Sequence, residues 1–132
     1  MNRFFWICIG GAAGTGARYL LGGWTLALLG TSFPFGTLTV NLIGSFLIGI
    51  IMQVSLTTKL ISPLLRLTLT TGFMGGFTTY STFNYETVGY LREGAVHIGL
   101  LNLGVMTAAC LAGGFLGVAL AQWWISSGIA TS

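Results

Sequence analysis

The chain has 132 residues, of which 54% are hydrophobic and 5% are charged, whereas an ordinary globular domain is roughly 25% charged. Five Lys or Arg and two Asp or Glu residues are too few to cover a water-exposed surface, so the composition excludes a soluble fold. The net charge of +3 is spread along the chain without a basic patch, which argues against nucleic acid as a partner.

Four hydrophobic segments follow one another in the sequence, and they predict an all-α membrane protein. Each segment is long enough to cross, as a helix, a hydrocarbon core about 30 Å thick. Together they leave only short connections, so residues 1–132 are expected to form a single membrane domain. The predicted transmembrane helices are residues 4–29, 37–56, 64–91 and 97–125.

The first two segments combine small residues with isolated polar side chains. Gly10 and Gly14 have the small-xxx-small spacing that allows helices to approach closely. Arg18 lies within the first segment, where a cation must pair, bond to carbonyls or extend to the interface. Asn41 lies one turn inside the second segment, and a lone amide there serves either as an interhelical contact or as part of a ligand site.

The third segment differs from the others because it is too long and too polar for a simple span. Residues 64–91 would form a continuous helix about 42 Å long. The stretch from Gly75 to Glu86 reads GGFTTYSTFNYE, with paired glycines followed by hydroxyl residues. This pattern predicts a helix interrupted near Gly75-Gly76, which in a membrane exposes backbone groups to a polar site.

Beyond the interruption, helical spacing groups the polar side chains into stripes. One stripe contains Thr78, Thr82 and Glu86. Ser81 lies on the next stripe, and Tyr80 and Phe83, three residues apart, face one partner helix. Freed carbonyls in such a segment hold a cation, whereas freed amides and hydroxyls hold an anion. The simpler alternative is that the hydroxyls bond back to helix carbonyls and the rings belong to the core.

The remaining features favour structural roles and argue against an enzyme. Cys8 and Cys110 lie inside apolar stretches without paired spacing, which favours packing over a disulfide or a metal site. The sequence has no HExxH motif, no P-loop, no Ser near an intramembrane His and no pair of buried carboxylates, so no enzyme is predicted. The fourth segment is generic and supplies no candidate site.

The distribution of charge leaves the membrane orientation open. Arg3, Lys59 and Arg66 would lie on one side of the bilayer and Arg92 on the other, a bias too small to fix the topology. A chain that inserts in both orientations could form an antiparallel homodimer.

Two functions fit the size and composition of the chain. A four-helix proton-coupled multidrug exporter is similar in size, but its mechanism needs a carboxylate deep in a substrate-facing helix. Glu86 is the only acid within an apolar segment, and it lies near the end of that segment. A non-transporting helper subunit held by glycine-mediated packing is the other alternative.

Three stretches of the sequence resemble the signature motifs of the small bacterial fluoride channels, the Fluc/CrcB family. They are GGAAGTGARY (Gly10 to Tyr19), GTLTVNLIGSFLIG (Gly36 to Gly49) and GFMGGFTTYSTF (Gly72 to Phe83). The resemblance covers the first three segments in order, and the third motif is highly specific. It implies a fluoride-specific ion channel that lets toxic fluoride leave the cytoplasm passively across the bacterial inner membrane.

The resemblance also implies an assembly and a set of site residues. Two copies would form an antiparallel homodimer with two pores and a structural Na⁺ at the interface that is not transported. The sodium ligands would be the backbone carbonyls of Gly75 and Thr78. The fluoride path would contain Asn41, Tyr80, Ser81, Thr82, Phe83 and Glu86. In that path Asn41 would donate its amide, the rings would present their edges and Glu86 would lie near a vestibule. At position 80 the family commonly has Phe, so Tyr80 is a departure.

Overall fold

A computed structural model describes residues 2–128, and the four predicted helices are confirmed within that part of the chain. The first two are α1 at Asn2–Leu29 and α2 at Phe35–Thr57. The third consists of two parts, α3 at residues 63–77 and α4 at Tyr80–Arg92. The fourth is α5 at Val96–Ser126. The described residues contain no β-strand, so the protein is all-α as predicted.

The helices begin and end at residues that are unsuited to a continuing helix. Gly30 ends α1 with a φ of 77°, a left-handed conformation that glycine adopts without strain. Ser62 caps α3, because its Oγ accepts a hydrogen bond of 3.2 Å from the backbone N–H of Leu65. Pro63 occupies the first helical position, where its missing N–H costs nothing.

Helix α3 changes its winding along its length. Its first turn, Pro63–Leu67, and its last residues, Gly75–Phe77, are α-helical, whereas Thr68–Met74 forms a π-helix. A π-helix is rare and often lies next to a functional site. Hydrophobic periodicity does not predict this winding, and it is a feature that only the structure reveals.

Helix α1 packs closely against α3 through glycines on both helices. A Cβ atom added to Gly10 would lie 2.6 Å from the carbonyl oxygen of Thr68, and one added to Gly72 would lie 2.8 Å from that of Ile7. Gly14 likewise faces the backbone of α3 without room for a side chain. The backbones are therefore in direct contact, as the spacing of these glycines predicts.

Helices α2 and α5 form a second glycine-mediated pair. A Cβ atom at Gly49 would lie 2.7 Å from the carbonyl oxygen of Gly114. One at Gly113 would lie 2.8 Å from the Cδ1 atom of Leu42. The chain is thus built from two helix pairs, α1 with α3 and α2 with α5.

Two of these helices, α2 and α5, are long and apolar enough to cross a bilayer, judged by length and composition. Helix α1, which contains Arg18 within its apolar stretch, does not meet this criterion. The third helix is divided into α3 and α4, which are each too short to meet it. The crossings by residues 4–29 and 64–91 therefore stay predictions.

The buried core of the chain is small and lies where α2 meets α3. Its members Val40, Met74 and Phe77 are each at most 5% exposed. Partly buried side chains pack around them: Ala17, Leu21, Ile43, Leu47, Ile51 and Phe73. Phe77 is the last residue of α3, so the core fixes the place where the third helix is interrupted.

Candidate functional site

The third helix is interrupted at two threonines. Thr78 (φ −82°, ψ 158°) and Thr79 (φ −149°, ψ 105°) have extended backbones between α3 and α4. The predicted interruption near Gly75-Gly76 is confirmed, and the extended residues follow the glycine pair directly after Phe77. The glycines themselves stay helical, and Gly76 packs against the backbone of Gly11 in α1.

Asn41 holds the interruption from the neighbouring helix. Its Oδ1 accepts a hydrogen bond of 2.7 Å from the backbone N–H of Thr79. Its Nδ2 donates one of 3.0 Å to the carbonyl oxygen of the same residue. Both residues are buried, so Asn41 replaces the helical partners that this peptide lacks.

The side chain of Thr79 starts the next helix. Its Oγ1 accepts a hydrogen bond of 3.2 Å from the backbone N–H of Thr82 and donates one of 2.8 Å to the Oγ1 of Thr82. The Oγ of Ser81 lies 3.3 Å from the same atom. Thr79 was not among the predicted site residues, although a hydroxyl residue three positions before Thr82 has the spacing of an N-cap.

Replacing Thr79 by alanine is expected to destabilise the protein by about 0.5–2 kcal/mol, the usual cost of losing an N-cap hydroxyl. Replacing it by serine keeps the hydroxyl and should cost much less. Unfolding of the two variants in detergent, followed by circular dichroism, measures the difference. Equal stability of Thr79→Ala and Thr79→Ser would show that the cap contributes nothing.

The two predicted pathway aromatics lie together but differ in exposure. The rings of Tyr80 and Phe83 make an edge contact, with centroids 5.6 Å apart and planes inclined by 67°. Phe83 is 6% exposed, whereas Tyr80 is 76% exposed. Phe83 is therefore buried within the chain, and Tyr80 lies on the exposed surface of α4.

A cavity of about 510 Å³, called here the central cavity, lies between α2, the third helix and α5. Its lining includes Asn41, Gly75, Thr78, Tyr80, Phe83 and Met106. Among the residues that the structure describes, none of those lining it is charged. The central cavity thus brings together five of the predicted site residues.

A smaller cavity of about 260 Å³, called here the outer cavity, lies between α1, α2 and α4. Its lining includes Arg18, Thr37, Thr79, Thr82 and Glu86. The predicted residues Thr82 and Glu86 therefore lie apart from the central cavity, and Ser81 lines neither. The hydrogen bonds between Asn41 and the Thr79 peptide link the two cavities, because Asn41 lines the central cavity and Thr79 lines the outer cavity.

Glu86 is partly satisfied within the outer cavity. Its Oε1 accepts a hydrogen bond of 2.7 Å from the hydroxyl of Thr37. Its Oε2 is buried without a hydrogen-bond partner among residues 2–128. Arg18 lines the same cavity, so the carboxylate and a cation share one small space. Thr37 was not a predicted site residue.

Two backbone carbonyls at the interruption have lost their usual helical donors. The N–H of Thr79, which would bond to the carbonyl of Gly75 in a continuous helix, bonds to Asn41 instead. The N–H of Thr82, which would serve the carbonyl of Thr78, bonds to the Oγ1 of Thr79. Oxygen ligands freed in this way suit a hard cation such as Na⁺, so the residues fit the predicted sodium site.

Helix α5 supports the site, contrary to the expectation that the fourth segment is generic. The Nδ2 of Asn102, which is fully buried, donates a hydrogen bond of 2.9 Å to the hydroxyl of Thr87. That hydroxyl donates one of 2.8 Å to the carbonyl oxygen of Phe83. The signal available in the sequence was an amide in the first half of a largely apolar helix.

Comparison with known sequences gives a consistent result over most of the chain. Residues 5–118 match the sequence profile of a family described as CrcB-like protein, Camphor Resistance (CrcB). The chain is 52% identical over 122 residues to a protein named fluoride-specific ion channel FluC from Sorangium cellulosum, covering 92% of this chain and 96% of that protein. A protein of the same name from Geobacter sulfurreducens is 50% identical over 122 residues, covering 92% and 98%. The corresponding protein from Citrifermentans bemidjiense is 46% identical with the same coverage.

Proposed function

The chain belongs to the family of CrcB-like proteins, and from this membership we propose that it is a fluoride-specific ion channel. The observation that carries the proposal is the 52% identity, over 92% of the chain, to a relative that bears that name. The channel would export toxic fluoride from the cytoplasm passively, without chemical conversion of a substrate. Such a protein is a membrane protein and not an enzyme.

The chemistry of the central cavity supports this function. Fluoride is small and strongly hydrated, so a path must replace its water with hydrogen-bond donors that do not hold it too tightly. The Nδ2 of Asn41 has two hydrogens, of which one bonds to Thr79, while Met106 Sδ, 3.7 Å away, is a weak acceptor. The positive edges of the Tyr80 and Phe83 rings face an anion favourably.

Around the cavity, the hydroxyls of Ser81 and Thr82 and the vestibule residue Glu86 complete the proposed path. Ser81 and Thr82 are exposed on α4, where they would line a passage closed by another surface. Glu86 lies in the outer cavity beside Thr37, as a vestibule residue would. Apart from Glu86, the proposed path offers uncharged donors, which avoids the strong ion pairing that would slow release.

Replacing Phe83 by isoleucine is expected to reduce fluoride flux while leaving the assembly intact. The substitution keeps an apolar side chain but removes the ring edge and its edge contact with Tyr80. A barrier raised by about 0.5–1.5 kcal/mol, the size of one aromatic edge contact, would slow passage about two- to tenfold. Fluoride release from liposomes measures the change. Phe4→Ile, at a position that is 73% exposed, is the matched control. Normal flux in Phe83→Ile would remove this residue from the path.

The assembly we propose is an antiparallel homodimer in the bacterial inner membrane, crossed several times by each chain. Tyr80 and Tyr85 are 76% and 80% exposed on α4, and a second copy would cover such a polar, aromatic face. A cysteine introduced at Asn2 in the Cys8→Ser background should react with an impermeant reagent from both sides of the membrane. Labelling from one side alone would contradict the dual topology.

At the interface of this dimer we propose a structural Na⁺ that is not transported. The carbonyls of Gly75 and Thr78 from both copies would hold it, and the ion would supply positive potential near the anion path. Replacing sodium by a large organic cation should lower the unfolding temperature of the dimer in detergent. Release of radioactive sodium together with fluoride would contradict a structural role.

A proton-coupled multidrug exporter is the alternative, and one observation favours it. The Oε2 of Glu86 is buried and has no hydrogen-bond partner in the described part of the chain, and a carboxylate in that position inside a membrane often carries protons. In the exporter, resistance to toxic cations would depend on Glu86.

One flux experiment separates the channel from the exporter. Liposomes loaded with potassium fluoride should release fluoride through the purified protein only when valinomycin lets potassium follow, because a channel moves net charge. The exporter would release no fluoride with or without valinomycin, and would instead move a toxic organic cation when a pH gradient is imposed. A non-transporting helper subunit would release no solute under either condition.

A further inference from the structure

Two sulfur atoms lie together in the wall of the central cavity. The Sγ of Cys110 is 3.9 Å from the Sδ of Met106, one turn away on α5. Both residues line the central cavity, where Met106 is 4% exposed and Cys110 is half-buried. The fluoride path proposed above uses Met106 only as a weak acceptor for the Asn41 amide and gives Cys110 no role.

The thioether of Met106 receives two donors at once. Besides the thiol of Cys110, the Nδ2 of Asn41 lies 3.7 Å from Met106 Sδ. A thioether is a weak acceptor for both of them. The Met106 sulfur therefore faces the same space as the Asn41 amide. Its hydrogen bonds are weak enough for a metal ion to replace them.

We propose that Cys110 and Met106 form a binding site for a soft monovalent metal cation such as Cu(I) or Ag(I), and that its occupation blocks fluoride passage. Thiolate and thioether sulfur are the ligands that such cations select. On binding, the S–H bond of Cys110 breaks, a sulfur–metal bond forms and the proton leaves to water; no atom changes oxidation state. The blocking effect rests on the proposed channel function, whereas the binding does not.

The separation of the sulfurs suits such an ion. With bonds of about 2.3 Å, the length of a zinc–thiolate bond, an S···S distance of 3.9 Å gives an S–metal–S angle of roughly 115°, and the longer bonds of silver make the angle smaller. A bent pair leaves a third position towards the cavity. The bound ion would thus place a positive charge and its third ligand beside Asn41, where the proposed path has few other hydrogen-bond donors.

The second cysteine provides a matched control. Cys8 is exposed on α1 and lies outside the central cavity. A metal bound there would be remote from Asn41 and would leave the path open. Silver sensitivity should therefore depend on Cys110 and be indifferent to Cys8.

The test measures fluoride release from liposomes with and without silver ions, in fluoride and nitrate salts because silver chloride precipitates. In the parent protein and in Cys8→Ser, silver should lower flux by about tenfold or more, reversibly with dithiothreitol. Cys110→Ser and Cys110→Ala, each compared with its own flux without silver, should be insensitive, and Met106→Leu should need more silver. Block that persists in both Cys110 variants, or that disappears in Cys8→Ser, would overturn the proposal.

A binding measurement keeps the metal site separate from channel function. In detergent, titration calorimetry with silver nitrate should show one tightly bound ion in Cys8→Ser and none in Cys8→Ser/Cys110→Ser. If these titrations succeed but no variant conducts fluoride, the channel function fails and the metal site stands. If Cys8→Ser binds no silver, or if adding Met106→Leu leaves the affinity unchanged, the metal site fails whatever the flux.

Discussion

Replacing Asn41 by alanine is expected to reduce fluoride flux to the level of protein-free liposomes. The substitution removes both hydrogen bonds to the peptide of Thr79, whose N–H and carbonyl would stay buried without partners. Each such group costs about 1–3 kcal/mol, so the interruption would reorganise and the protein would lose about 2–6 kcal/mol of stability. The same change removes the amide donor proposed for the ion.

Two measurements separate these effects of Asn41. Fluoride release reports on the path, and unfolding in detergent reports on the interruption. Asn2→Ala removes an amide side chain at an exposed position at the start of α1. It controls for effects of replacing any asparagine by alanine. Normal flux together with normal stability in Asn41→Ala would show that the interruption holds itself and that Asn41 is dispensable.

Replacing Gly14 by alanine is expected to separate α1 from α3 and to abolish function by disturbing the interruption. The new methyl group would meet the carbonyl oxygen of Phe73 and would lie 3.0 Å from the amide nitrogen of Phe77. Both are backbone atoms, which cannot rotate away, so the cost is about 1–3 kcal/mol or more. Because α3 ends at Phe77, its displacement would also move the Thr78 peptide.

Gly16 is the matched control for this substitution. It lies two residues away on the same helix, and a Cβ atom there meets nothing within 4 Å. Gly16→Ala should therefore preserve flux and, by favouring the helix, add up to about 1 kcal/mol of stability. Thermal unfolding and fluoride release of the two variants test the contact. If Gly14→Ala equals Gly16→Ala in both, the helices are not in backbone contact.

The helices and the interruption were predictable because they depend on local patterns. Apolar stretches separated by Gly, Ser and Pro residues predict helix ends to within a few residues. Paired glycines before a run of hydroxyl residues predict a broken helix in a membrane. The π-helical turns Thr68–Met74 were not predictable, because helix propensities separate helical from non-helical residues and do not distinguish π-helical from α-helical winding.

The contacts that hold the site were less accessible to sequence reasoning. Asn41 and Thr79 are 38 positions apart, and nothing in either segment indicates that one amide would bind both ends of one peptide. The sequence motifs placed Asn41 at the ion path, whereas the structure adds a role in holding the third helix. Pairing across such distances is decided by how the helices pack, which periodicity does not specify.

The burial of Phe83 and the exposure of Tyr80 illustrate the same limit. Their spacing predicts rings on neighbouring faces, and the edge contact agrees with it. Only packing against α2 and α5 determines which of the two enters the chain. The buried amide of Asn102, which reaches Phe83 through Thr87, likewise required knowledge of the helix neighbours.

The most direct test of the channel proposal compares fluoride with chloride in one assay. Liposomes that contain the purified protein and equal concentrations of potassium fluoride and potassium chloride are treated with valinomycin, and ion-selective electrodes follow both anions. Passive, fluoride-specific conduction predicts rapid release of fluoride while chloride stays at the rate of protein-free liposomes. Release of both anions at similar rates, or of neither, would contradict it.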